Sequence, residues 1–193
     1  MNLRFSATSL TLISMVLFVR IAWSAEAPQK FYLLGDEKFT TAKGEPIPSL
    51  STALFIEKTL DAASGTFTER AVQVSPSKKQ VTDVTMTLTV KGQNFTIKDS
   101  LGTMTGTGTL QGPAWAWTFL SADYVITANG MKIHDEDYMA DQNNIAYRKT
   151  YYSPADGKSE VMHSDASLKS ISKETFDILV QALKSSYTIV PSP

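Results

Sequence analysis

The chain has 193 residues, 42% of them hydrophobic and 19% charged, with 18 Lys plus Arg against 19 Asp plus Glu and no cysteine. That profile fits one folded domain and excludes a disordered tail. A net charge of −1 argues against nucleic acid as a partner, because phosphate binding needs a basic surface. Without Cys there are no disulfides, thiolate metal sites or Cys nucleophiles.

Residues 1–24 read as a cleavable signal peptide, with Arg4 as the positive start, an apolar run from Leu10 to Val19 and a small-x-small site at Ala22-Trp23-Ser24. The run is too short to span a bilayer and Arg20 interrupts it. Cleavage there leaves 16 basic against 19 acidic side chains, a net charge of −3. The expectation is a periplasmic or secreted protein with no membrane span after cleavage.

Residues 25–50, with the cluster Phe31 to Leu34 and then Gly44, Pro46 and Pro48, read as an irregular N-terminal arm on a single domain covering residues 51–193. From residue 52 the pattern has period two, broken by turn signals at short intervals, which predicts an antiparallel all-β meander of nine strands. A loop from Ala62 to Gly65 places Glu57 opposite Arg70 and Lys58 opposite Glu69. Lys91-Gly92-Gln93-Asn94 reads as a type II′ hairpin, which sets Val90 opposite Phe95 and Leu88 opposite Ile97, with Thr85, Thr87, Thr89 and Thr96 on the other face. A four-residue loop from Asp99 to Gly102 puts Ile97 opposite Met104.

If Gln111-Gly112 is the next turn, Trp115 and Trp117 face Gly108 and Gly106, an aromatic-over-glycine pairing suited to a sharply bent sheet. Asn129-Gly130 reads as a type I′ turn pairing Val125 with His134, Asp123 with Glu136 and Ser121 with Tyr138. A turn at Gln142-Asn143 sets Glu136 opposite Lys149, Asp137 opposite Arg148 and Tyr138 opposite Tyr147, two opposite-charge pairs in one register. A turn near Asp156-Gly157 leads into a strand from about Lys158, with Arg148 opposite Asp165. One helix follows, with Ser172 as N-cap, Glu174 in the first turn and an apolar stripe of Phe176, Leu179, Val180 and Leu183. Tyr187 to Val190 reads as a last short strand.

The predicted fold is therefore an antiparallel up-and-down β-barrel, or a strongly curved sheet, with one C-terminal helix. In strand succession, hairpin connections and late helix it resembles the calycin superfamily, the lipocalin-like barrels. The Gly-x-Trp signature of lipocalins is absent, so no residue roles are carried over. The resemblance implies a small-molecule pocket inside the barrel.

Followed through these registers, one face begins with Val84, Met86, Leu88, Val90, Phe95, Ile97 and Met104. It continues with Trp115, Trp117 and Phe119 and ends in Ser121, Asp123, His134, Glu136, Tyr138, Tyr147, Lys149 and Tyr151. As a barrel lining this makes an apolar wall with a few placed polar groups, the composition of a site for a small apolar or amphipathic molecule. The alternative is an open, solvated face on which Asp123, Glu136 and Lys149 form an ordinary charge row. No cofactor, metal or catalytic group is expected: His134 and Glu136 share a face but Asp135 and Asp137 fall on the opposite one, and His163-Ser164-Asp165 lacks a nucleophile elbow. Other readings are a structural or assembly factor engaging an envelope protein partner, and a barrel hydrolase or isomerase using Glu136 or Asp123.

Overall fold

A computed structural model describes residues 28–61, 63–112, 117–141 and 144–190. The expected signal segment, Trp115 and the turn residues Gln142 and Asn143 lie outside these.

Among the described residues, ten strands run in sequence order around a closed antiparallel barrel. They are β1 (Gln29–Thr41), β2 (Thr52–Asp61), β3 (Thr66–Ser75), β4 (Gln80–Lys91), β5 (Asn94–Asp99), β6 (Met104–Gln111), β7 (Phe119–Ile126), β8 (Met131–Asp141), β9 (Asn144–Tyr152) and β10 (Glu160–Ser170). Pairing of β1 with β10 completes the circuit. The helix α1 (Lys173–Ser186) follows, and then β11 (Thr188–Val190) pairs in parallel with the start of β4. The architecture is a closed up-and-down barrel of ten strands, the all-β barrel with one C-terminal helix that was expected.

Residues 25–50, expected as an irregular arm, instead supply the longest strand of the barrel, β1, seated between β2 and β10. Its apolar run is buried on both faces, with Leu33 inside the barrel and Tyr32 and Leu34 outside it beneath α1. Two-sided burial erases the alternation by which a strand is usually recognised.

The early registers follow the turn chemistry. Lys58 pairs with Glu69, Val90 with Phe95 and Leu88 with Ile97. Gly92, at φ 64°, supplies the positive-φ position that the two-residue turn between β4 and β5 requires. The β5–β6 connection is two residues out of the expected register, with Ile97 opposite Gly106, so the faces are kept. Among the described residues, the aromatic side chains against the β6 glycines are Phe95 and Tyr124; the expectation for Trp115 falls outside them. A Cβ on Gly108 would lie 2.3 Å from the Phe95 ring, and one on Gly106 would lie 2.5 Å from the Tyr124 Cβ.

Helix α1 starts where Ser172 accepts a hydrogen bond from the Thr175 N–H at 3.1 Å, an N-cap. Phe176 and Val180 are buried against Tyr32, Phe55, Val72, Val74 and Val81 on the outer face of β1 to β4. The barrel thus has two apolar clusters, one inside and one between its wall and the helix. The N-terminal hairpin supplies both: Leu54, Ile56 and Phe67 point in, while Phe55, Val72 and Val74 point out.

Two departures decide which side chains enter the barrel. The chain does not turn back at Gln111-Gly112, and β7 begins only at Phe119, with Leu110 opposite Leu120 and Gly108 opposite Ala122. The expected register differs from this by an odd number of residues, which exchanges the two faces of a strand. A bulge between Met139 and Asp141 then shifts the β8–β9 register by one more residue, pairing Asp135 with Lys149 and Glu136 with Arg148. The β7–β8 hairpin lies two residues from expectation, with Asp123 opposite His134, which preserves sidedness. Arg148 faces Asp165 as expected, and its Nε donates to that carboxylate at 2.8 Å.

Candidate functional site

Leu120, Ala122 and Tyr124 of β7 and Ile133 of β8 point into the barrel. Strand alternation therefore sends Phe119, Ser121, Asp123, His134, Glu136 and Tyr138 outward. These six form an outer patch: Asp123 Oδ1 lies 2.8 Å from His134 Nδ1, Tyr138 donates to Glu136 at 3.2 Å, and the Phe119 and Tyr138 rings stack at 5.0 Å. The Asp123 side chain is 80% exposed. The expectation that this group lines the barrel is corrected by the odd shift at β7. Among the described residues no group of three His, Asp or Glu is placed to hold a metal.

Trp117, Tyr147, Lys149 and Tyr151 do face inward, and meet polar partners that the sequence reading placed elsewhere. The indole of Trp117 is buried at the barrel end where β6 meets β7. Lys58, between Ile56 and Leu60 on the inner face of β2, has its Nζ 5.5 Å from the centroids of both Trp117 and Phe67. That ammonium bonds Glu69 of β3 at 2.9 Å and reaches Asp137 of β8 at 4.0 Å. Lys149 of β9 lies 3.9 Å from Asp135 of β8 and 4.2 Å from the Tyr147 ring centroid. On β1 and β10, buried Glu37 accepts from Ser164 at 2.8 Å, and Ser164 lies 3.4 Å from the Tyr151 hydroxyl.

A belt of ionisable groups thus crosses an otherwise apolar interior. Burial pushes the Asp135 carboxyl well above the usual carboxylate range, against the pull of Lys149, with Asp137 and Glu69 adding repulsion. Asp137 is raised by the same burial, against the pull of Lys58. The two carboxyls repel each other, and a proton on Asp135 relieves that repulsion. Burial opposes the charge on Lys58, but Glu69 and Asp137 outweigh it and hold that ammonium above the ordinary lysine value. Burial raises the phenols of Tyr124 and Tyr147 well above theirs and Tyr151 to about 12, so all three are neutral hydrogen-bonding groups at neutral pH.

Two polar atoms of this belt, Asp135 Oδ1 and the Tyr147 hydroxyl, are buried without a hydrogen-bond partner. Such atoms are uncommon in native folds and cost about 1–3 kcal/mol each when nothing occupies them. The side chains of Glu69, Asp137, Lys149 and Asp135 nevertheless keep 14–16% exposure at mid-barrel, so water-sized space adjoins them. Met86, Met104, Ile126 and Met131 are only partly buried on the inner face toward the end opposite Trp117. Methionine side chains adapt to differently shaped apolar guests.

A separate concavity of about 670 Å³ lies on the outer face of β4 to β7, over Thr87, Thr89, Thr96, Thr107 and Thr109. Its other lining residues include Phe95, Lys91, Lys98, Ser121 and Asp123. The inner polar belt is half legible in the sequence: the turn at residues 62–65 pairs Lys58 with Glu69, but that register does not say which face of the sheet the pair occupies. The even-numbered apolar series Leu120, Ala122, Tyr124, Ile126 was the signal that would have put Asp135 and Asp137 inside.

No protein family and no curated protein matches the chain. Among solved structures it is similar to EF1p2_mFAP2b bound to DFHBI, at 12% identity and a TM-score of 0.35, over 71% of this chain and 90% of that one. A likeness this distant assigns neither family nor activity.

Proposed function

We propose that the protein is an exported, non-enzymatic binder of a small amphipathic molecule, held inside the barrel with its polar end on the Asp135–Lys149–Tyr147 belt. Its apolar part lies toward Met104, Ile126 and Met131. The observation that carries this reading is the pair of unpartnered buried polar atoms, Asp135 Oδ1 and the Tyr147 hydroxyl, in a belt whose Asp135 and Lys149 side chains keep 16% and 15% exposure. A ligand that bonds them removes a penalty carried by the empty protein, which is how a few placed polar groups in an apolar cavity create affinity and orientation.

Trp117 is the natural reporter, since its indole adjoins Lys58 in the belt. Ten-carbon amphiphiles titrated into a Trp115→Phe background should quench or shift its emission saturably and raise the melting temperature. Absence of both responses for every head group contradicts the reading. Export rests on residues 1–24, and the mature form recovered from the periplasm or medium should begin at Ala25. Recovery of an uncleaved chain only from the cytoplasm contradicts that part.

A further inference from the structure

Resting on that reading, we infer that the head group of the ligand is a cation, an ammonium or amidinium, seated between Asp135 and the Tyr147 hydroxyl. The inner belt holds four carboxyls, Glu37, Glu69, Asp135 and Asp137, against two ammoniums, Lys58 and Lys149. Lys58 is engaged by Glu69 and Asp137, and Lys149 by Asp135. Glu37 accepts only from hydroxyls, Ser164 at 2.8 Å and Thr52 at 3.3 Å. Buried charge requires compensation, so with two cations for four acids the interior is completed by protons or by a bound positive group.

The unpartnered atoms point the same way. Asp135 Oδ1, as a carboxylate oxygen, can only accept, and the Tyr147 hydroxyl can accept as well as donate; Lys58 is held by Glu69 and Lys149 stays 3.9 Å from Asp135, so Oδ1 is the atom that lacks a donor. A carboxylate ligand would add a fifth acid. An alcohol would satisfy the acceptors but not the charge. An alkylammonium supplies donors and charge together, and hydrogen bonds between charged partners are the stronger ones.

Proton movement follows from the same groups. Asp135 faces Lys58 on β2, Glu69 on β3, Tyr124 on β7, Asp137 on β8 and Tyr147, Lys149 and Tyr151 on β9, while Glu37 on β1 acts on Lys149 and the three tyrosines. Burial favours the protonated form of Asp135, so when an ammonium arrives that proton leaves to solvent and Asp135 becomes its carboxylate partner.

The test is calorimetric titration of the full mature chain with decylammonium, decanol and decanoate at pH 6 and pH 8, each in two buffers of different ionisation enthalpy. Decylammonium should bind about ten-fold more tightly than decanol, the scale of one charged hydrogen bond, and decanoate more weakly than either. Its binding should release more protons at pH 6 than at pH 8, and in Asp135→Asn both the advantage and the release should vanish while decanol still binds. Equal affinities for all three, or tightest binding of decanoate, overturn the cation and leave the binding reading standing. No binding of any of them overturns both. Should Asp135→Asn fail to fold, proton release by the unaltered protein decides, and its absence refutes the inference.

Discussion

Replacing Lys58 by Met tests whether the belt is as buried as its geometry indicates. The ammonium is 5% exposed, bonds Glu69 at 2.9 Å and lies 4.0 Å from Asp137. Methionine preserves most of the side-chain volume, so the loss is electrostatic: Glu69 and Asp137 keep their burial and lose their cation. Breaking a buried ion pair from one side costs about 3–5 kcal/mol, because the remaining charge is left uncompensated. For a chain of this size about 2–4 °C is lost per kcal/mol, a melting point lower by about 10 °C. Urea denaturation followed by circular dichroism reads the free energy directly. The deficit should shrink as the pH is lowered, because protonation removes the stranded charge, and adding Glu69→Gln to Lys58→Met should recover at least half of it. A loss below about 1 kcal/mol, the range of solvent-exposed pairs, would refute the burial of the pair and the interior site with it.

Other outcomes follow from the same geometry. Asp135 binds its proton more tightly folded than unfolded, so the stability this confers is full in acid. It is lost as pH rises from the ordinary aspartate value through the raised folded-state one. Asp135→Asn should flatten that decline in urea midpoints, and parallel pH curves for the two proteins would contradict the assignment. Gly108→Ala places a Cβ 2.3 Å from the Phe95 ring and 2.4 Å from the Ser121 carbonyl oxygen, so it should destabilise by about 1–3 kcal/mol, partly relieved by Phe95→Leu; an unchanged unfolding midpoint would argue against the close approach of β5, β6 and β7. His134→Ala on the outer patch should shift stability by no more than about 0.5 kcal/mol and leave amphiphile affinity unchanged. A large loss of affinity there would move the site to the outer face.

Much of the barrel was legible because turn chemistry and alternation agree. The Gly92 turn fixes β4 against β5, the loop at residues 62–65 fixes β2 against β3, and the stripe from Phe176 to Leu183 fixes the buried face of α1. The site was legible only in part, for a reason of parity. Side chains alternate with period two, so an error of two residues, as at Asp99 to Gly102, is harmless, while an odd error exchanges the inner and outer faces. The segment from Gly112 to Thr118 carries turn residues followed by aromatics, and reading those aromatics as strand displaced Asp123, His134 and Glu136 into the barrel. The bulge before Asp141 leaves no mark in local propensity, yet it reverses the sides again. Tyr147, Lys149 and Tyr151 therefore face inward as expected, although Asp135 and Asp137 are their partners in place of Glu136. Strand β1 escaped notice because burial on both sides hides periodicity.

The central claim is that ligands occupy the inner face of the barrel and not its outer surface. Intermolecular nuclear Overhauser contacts from bound decylammonium locate it directly. Contacts from the methylenes next to nitrogen to the rings of Tyr124 and Tyr147, and from the terminal methyl to the methyl groups of Met104 and Met131, are the predicted result. Contacts confined to the methyl groups of Thr87, Thr96 and Thr107 on the outer concavity, or to the His134 ring, would contradict it.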